Sequence, residues 1–223
     1  MDKLVLFDVN ETLVRDTKDV SEYVSESIRN IYGTLVEVNL SKYIGMTSQE
    51  TAEAVLLENG MPKDEIEQKL VRYTEDLFYT YYNVAGHDRQ TLFEGAGELL
   101  EELSKKGVLI GIATGESEKI ARFRIEKAGL SNYFAFGAFA KDGRSAEDIV
   151  GKALEKAKSE FSFSGNAALV CSSPNFVSAA KRFGIKSAGI ANGKFSGEEL
   201  KNAGADVATK SLKDKGKIIQ LLF

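Results

Sequence analysis

The stretch Lys3-Leu4-Val5-Leu6-Phe7-Asp8-Val9-Asn10-Glu11-Thr12-Leu13-Val14 decides the fold, because an apolar run stops at one carboxylate and then turns. It reads as a buried strand that delivers Asp8 to its carboxyl end. In an open parallel α/β sheet, ligands sit beyond the carboxyl ends of the strands, so this reading puts Asp8 in the reactive crevice. A turn-capping Asp is the plainer alternative. The same pattern recurs downstream. Val108-Leu109-Ile110-Gly111-Ile112-Ala113 is apolar throughout, as strands buried on both faces are, and it stops at Thr114-Gly115. Thr114 thus repeats the placement of Asp8: a small polar residue at a strand end, beside the start of a helix.

Between these two runs the pattern is helical. Val20, Val24, Ile28 and Ile31 share one stripe, closed by Gly33. Thr47-Ser48-Gln49-Glu50 is a capping box that opens a second helix carrying Ala52, Val55 and Leu56 and ending at Gly60. A third helix begins near Asp64, with Ile66, Leu70, Tyr73, Leu77 and Tyr81 in register. The expected organisation is an all-helical subdomain over 15–90, inserted into a core made of 1–14 and 91–223. Its candidate substrate-facing turn is Ile44-Gly45-Met46-Thr47, since a Gly before a helix N-terminus exposes backbone amides to an anion. From residue 94 onward helix and strand alternate. Strands are predicted at 134–139, 167–171, 185–190 and 206–208, and helices at 97–106, 146–158, 174–183 and 196–203. The fold class is α/β, a doubly wound parallel sheet with an inserted helical cap.

A length of 223 residues suffices for one such core plus an inserted subdomain. The formal net charge of −4 and the absence of a dense Lys/Arg block argue against nucleic acid or an anionic membrane as partner. No apolar run approaches a membrane span and no signal-peptide pattern opens the chain, so a soluble cytoplasmic protein is expected. The single cysteine, Cys171, excludes an intrachain disulfide and a cysteine zinc site. His87 is the only histidine and is remote in sequence, so Cys171 reads as a buried inert thiol.

The opening Asp8-Val9-Asn10-Glu11-Thr12-Leu13-Val14, the strand end Ala113-Thr114-Gly115, and the downstream segments Gly189-Ile190-Ala191-Asn192-Gly193, Glu199-Leu200 and Ala203-Gly204-Ala205-Asp206 together resemble the haloacid dehalogenase superfamily. Within it they look like the phosphoglycolate phosphatase-type members, over essentially the whole chain. That resemblance implies a Rossmann-like core under a helical cap that excludes water and selects substrate. It implies Asp8 as nucleophile, Thr114 and Gly115 around a phosphate, and a small anionic, phosphorylated metabolite as partner. It also implies a basic residue that binds the nucleophile and the phosphate. Arg144, in Lys141-Asp142-Gly143-Arg144-Ser145-Ala146-Glu147-Asp148, occupies that place, and Arg124, on the helix after Thr114, is the alternative.

Three positions depart from the family's phosphatases. Asn10 stands where they have a second Asp, the acid and base of the reaction. After the strand at 167–171 they carry Gly-Asp and then Thr-Pro-Asn-Asp, whereas this chain reads Cys171-Ser172-Ser173-Pro174-Asn175-Phe176. The Pro174-Asn175 pair fixes the register, so Ser172 and Phe176 occupy the two carboxylate positions. Mg²⁺, the cofactor the resemblance implies, is left with Asp8, the backbone carbonyl of Asn10 and the Ser172 hydroxyl, unless Glu11 or Glu116 reaches it. The expectation is a phosphatase-type hydrolase with weak or absent Mg²⁺-dependent turnover. Two other readings stand beside it. One is a catalytically silent relative that binds a ligand or a protein. The other is a metal-independent hydrolase attacking carbon, as haloacid dehalogenases do. Asp8-Val9-Asn10-Glu11-Thr12-Leu13 and Ser172-Ser173 favour the latter; Phe176 and the lack of an Arg near Lys42-Tyr43 disfavour it.

Overall fold

β1 (Lys3–Phe7) is buried on both sides. Val5 and Phe7 join one apolar cluster, Leu4 and Leu6 another, so the strand needs a helical layer on each face. The computed structural model describes residues 1–15, 21–43, 45–85, 91–191 and 194–222. Val20, Ile44, His87, Asn192 and Gly193, all used in reading the sequence, lie outside them.

The chain leaves β1 through a two-residue strand, β2 (Val14–Arg15), into the helical segment α1 (Ser21–Tyr32), α2 (Ser48–Glu58) and α3 (Lys63–Ala85). It returns through β3 (Thr91–Leu92), which pairs antiparallel with β2, so both connections to the cap run through one short ribbon. The capping box at Thr47 is present: Thr47 Oγ1 accepts from the Glu50 amide at 3.1 Å, and Glu50 Oε2 accepts from the Thr47 amide at 2.7 Å. The cap has its own apolar cluster, built on Val24, Ile28, Ala52, Val55, Leu56, Ile66, Tyr73 and Tyr81, the stripes visible in the sequence.

The core continues with α4 (Ala96–Lys105), β4 (Leu109–Ala113), α5 (Glu118–Lys127), β5 (Phe136–Ala138), α6 (Ala146–Phe161), β6 (Asn166–Cys171), α7 (Pro174–Arg182), β7 (Lys186–Ile190), α8 (Gly197–Asn202), β8 (Val207–Thr209) and α9 (Lys215–Ile219). The six core strands form one parallel sheet in the order β5-β4-β1-β6-β7-β8. β5 is shorter than the 134–139 expected, lying between 3₁₀ turns at Ser131–Tyr133 and Ala140–Asp142. β1 pairs with β4 on one side, Phe7 opposite Ile112, and with β6 on the other, Phe7 opposite Val170. The chain therefore builds outward from β1 in one direction and then in the other. The carboxyl ends of β1, β4 and β6 converge on one crevice, where such a sheet binds its ligands.

Candidate active site

Asp8 follows β1 and keeps its place in the ladder, its amide donating to Val170 O at 3.0 Å. The next residues fold back on themselves: the amides of Thr12, Leu13 and Val14 all donate to Val9 O. Glu11 takes a left-handed φ of 54°, an uncommon conformation for a residue with a side chain. The tight loop returns Thr12 to Asp8. Asp8 Oδ1 accepts from the Val9 amide and from Thr114 Oγ1, both at 2.8 Å, while Oδ2 accepts from Thr12 Oγ1 at 3.4 Å. Asp8 is only 8% exposed. Burial pushes its pKa up to about 6, against the opposing pull of the Thr114, Val9 and Thr12 donors and the charge of Arg124.

A cavity of about 180 Å³ opens beside this carboxyl, lined on the core side by Asp8, Asn10, Glu11, Thr114, Gly115, Glu116, Ser172, Ser173 and Phe176. Sequence reading thus named most of the core wall. The two arginines part company. Arg144 is outside the cavity: its guanidinium forks to Glu53 Oε2 at 2.5 Å and Glu67 Oε1 at 3.1 Å, both in the cap, and its side chain is 46% exposed. Arg124 is wholly buried. Its Nη1 donates to Asn10 Oδ1 at 3.3 Å, its Nη2 pairs with Glu116 Oε1 at 3.1 Å, and its guanidinium lies 4.9 Å from the Tyr81 ring of α3. A charge removed from water needs such partners. A guanidinium has only donors, so Asn10 must turn its oxygen toward it and its amide group away.

Asn175 is also outside the cavity, its Nδ2 donating to Gly45 O at 2.9 Å. At the turn proposed to offer amides to an anion, four donors are already engaged. Met46 N donates to Tyr43 O, Thr47 N to Glu50, Ser48 N to Gly115 O and Glu50 N to Thr47. The capping box that takes two of these donors was legible, but the docking that engages Ser48 N was not. Cys171 is buried at the end of β6 and burial pushes its thiol far up, which fits an inert role. Lys194 and Tyr23 line the cavity without having been named in the sequence, and Tyr73 was read there only as part of a helix stripe.

The donors left for a divalent metal are few. Phe176, 4% exposed, is part of the core cluster under α6 and α7 as well as the cavity wall. Glu11 pairs with Arg15 at 3.5 Å and Glu116 with Arg124. Among the described residues no three carboxylate, imidazole or thiol side chains gather to hold a metal ion. Asp8 is the wall carboxylate with no arginine pair among these, a sparse set for Mg²⁺, which binds near-octahedral oxygens through one or two carboxylates. No described helix is long and apolar enough to cross a membrane.

A buried Asp after the first strand, a Thr bonded to it from the neighbouring strand and a helical cap inserted between them define a class, and the family profile for haloacid dehalogenase-like hydrolases matches residues 5–190. The chain belongs to that family, and within it is phosphatase-like. It is 23% identical over 221 residues to a phosphoglycolate phosphatase of Vibrio parahaemolyticus, covering 97% of this chain and 96% of the relative. It is 28% identical over 156 residues to the tyrosine-protein kinase PtkA of Mycobacterium tuberculosis, covering 68% of this chain and 50% of that protein. Among solved structures, an Asp-to-Asn variant of CbbY from Rhodobacter sphaeroides, in complex with xylulose-1,5-bisphosphate, has a similar fold. The TM-score is 0.74, at 20% identity, with 95% of each chain covered.

Proposed function

We propose that the chain is a phosphomonoester hydrolase in which Asp8 attacks phosphorus in a small phosphorylated metabolite, and that its Mg²⁺-dependent turnover is weak. The observation that carries this reading is the asymmetric Asp8 carboxyl: Oδ1 is held by two donors at 2.8 Å, Oδ2 by one at 3.4 Å, beside a cavity. Oδ2 keeps a lone pair for attack. It forms a bond to phosphorus as the ester P–O bond breaks and the leaving oxygen takes a proton from water to depart as the alcohol; a water then splits the acyl phosphate to return Asp8 and inorganic phosphate. A carboxyl titrating near 6 is ionised roughly ten to one at pH 7. Thr114 and the Val9 amide fix its orientation, so the attacking oxygen need not search for its geometry.

Two features oppose fast turnover. An anionic nucleophile and an anionic phosphate repel each other by about 4 kcal/mol per unit-charge pair at ~4 Å and an effective dielectric near 20. Family phosphatases offset that with a metal, and the donor set here is sparse for one. Arg124 contributes a fixed positive charge, but Asn10 and Glu116 already engage it. Asn10, moreover, cannot hand a proton to the leaving oxygen, a role worth about 10²- to 10⁴-fold. The same Asn10–Arg124 contact favours a second reading, binding of a phosphorylated ligand without turnover.

Phosphate release from 4-nitrophenyl phosphate and from phosphoglycolate, with and without Mg²⁺, tests both readings. Slow release by wild type, less than about tenfold stimulation by Mg²⁺ and none from Asp8→Ala is the expected result. Activity that survives in Asp8→Ala would overturn the nucleophile assignment. A silent wild type that still binds inorganic phosphate supports the second reading.

A further inference from the structure

Three polar side chains of the cavity wall stand around Asp8, and they differ in what they have left to donate. Thr114 has committed its hydroxyl hydrogen to Asp8 Oδ1 at 2.8 Å. Asn10 has committed only its oxygen. Oδ1 accepts from Arg124 Nη1 at 3.3 Å, which turns the two N–H donors of Nδ2 the other way. Ser172 follows β6, the neighbour of β1, and is 8% exposed. Neither the Ser172 hydroxyl nor Asn10 Nδ2 has a hydrogen-bond partner among the described residues, yet neither atom is fully enclosed. The open space that both residues line is the cavity.

The register brings these two donors to the nucleophile. Phe7 lies opposite Val170, and the Asp8 amide donates to Val170 O, so Asp8 and Ser172 leave the sheet from adjacent strands, which run about 4.8 Å apart. Carboxylates at positions 10 and 172 would offer only acceptors, and a phosphate could meet them only across a cation. An amide and a hydroxyl offer hydrogens directly to phosphate oxygens. The other acids of the wall do not stand bare against an anion: Glu11 pairs with Arg15 and Glu116 with Arg124. Lys194 adds a cation to the same wall.

We infer that Asn10 Nδ2 and Ser172 Oγ form a direct cradle for the phosphate oxygens of the ligand, donating at the two positions where the metal-using members of the family carry carboxylates. This rests on the phosphatase reading and says how the phosphate of its substrate is held. The two departures from the family's pattern are then one change: a pair of cation ligands has become a pair of anion donors.

Isothermal calorimetry with methylphosphonate, which carries the oxyanion but no ester to split, tests the cradle in EDTA and in Mg²⁺. Wild type should bind equally well in both. Ser172→Ala should bind about tenfold more weakly, the worth of one hydrogen bond to a charged oxygen. Asn10→Asp keeps the shape of the side chain and an oxygen for Arg124 but replaces a donor with a second anion, so its loss in EDTA should exceed that of Ser172→Ala. Ser172→Ala removes a hydroxyl that has no partner in the protein, so its melting temperature should not fall below that of wild type. Binding that requires Mg²⁺, wild-type affinity in either variant, or a lower-melting Ser172→Ala would each overturn the inference. Methylphosphonate bound in the expected pattern by a wild type that leaves 4-nitrophenyl phosphate intact would sink the phosphatase reading and leave the cradle standing. No binding in either buffer would overturn both.

Discussion

At the scale of single residues, Asp8 is a destabilising ornament of the fold that chemistry requires. Its pKa is raised from 3.8 to about 6, chiefly by burial, so the protonated form is favoured in the folded protein. Below about pH 4 the folded and unfolded chains both hold the proton and the group costs nothing; as pH rises through 6, folding must strip a charge of water. The cost at pH 7 is about 3 kcal/mol. Asp8→Asn keeps an oxygen for Val9 and Thr114, so it should be more stable than wild type by up to ~3 kcal/mol at pH 7 and by little at pH 3.5. Urea melts at the two pH values check this, and a variant no more stable at pH 7 would show that the carboxyl is not desolvated. Asp8, Asn10, Thr114 and Phe176 were legible in the sequence because motif and register identify them. Arg124 was named only as an alternative, because its partners are hidden from a linear reading. It falls on the buried face of α5 with Ile120, Ala121 and Ile125, where a charged residue looks like a surface residue out of phase. Only folding brings Asn10 and Tyr81 to it.

At the scale of elements, the N-terminus of α2 is one of the places where the cap is held against the core. Ser48 N donates to Gly115 O at 2.9 Å, Thr47 Oγ1 to Arg144 O at 3.1 Å, and Asn175 Nδ2 to Gly45 O. Gly115 is small because Thr47 leaves no space: a Cβ there would lie 3.0 Å from Thr47 Cα. Gly115→Ala should therefore push α2 off the core and speed hydrogen exchange of the Ser48 amide by about fivefold, a local opening worth ~1 kcal/mol. Unchanged exchange would mean that α2 does not carry the cap's contact. The Arg144 fork to Glu53 and Glu67 is half-exposed, and breaking it with Arg144→Ala should cost about 1 kcal/mol or less and weaken as salt is added. The helix α2 and its capping box could be read from four residues. Its docking could not, since Gly115, Arg144 and Asn175 are scattered along the chain and meet only through the sheet order.

At the scale of the whole molecule, cap and core are joined through α5. Ile120 belongs to the cap's apolar cluster, and the Phe123 ring packs against Tyr82 at 5.4 Å, Tyr81 at 6.2 Å and Phe78 at 6.4 Å. A cap over 15–90, cut from the core, would leave those rings uncovered. Heat should accordingly unfold the protein in a single transition with equal calorimetric and van't Hoff enthalpies. Phe123→Ala, at a cost of about 3 kcal/mol, should lower the melting temperature by roughly 6–12 °C. Two separate transitions in wild type would show that the units are energetically independent. The order of helices and strands was readable because each keeps its own period, whereas the bond between the two units depends on two aromatic stripes that look like ordinary core. The β2–β3 ribbon gives this joint a further property. Cap and sheet together wall the cavity beside Asp8, so any outward swing about the ribbon hydrates that carboxyl and releases its proton. An opening of that kind would make closure a proton-uptake step between about pH 4 and 6, so that mild acid would favour the closed form.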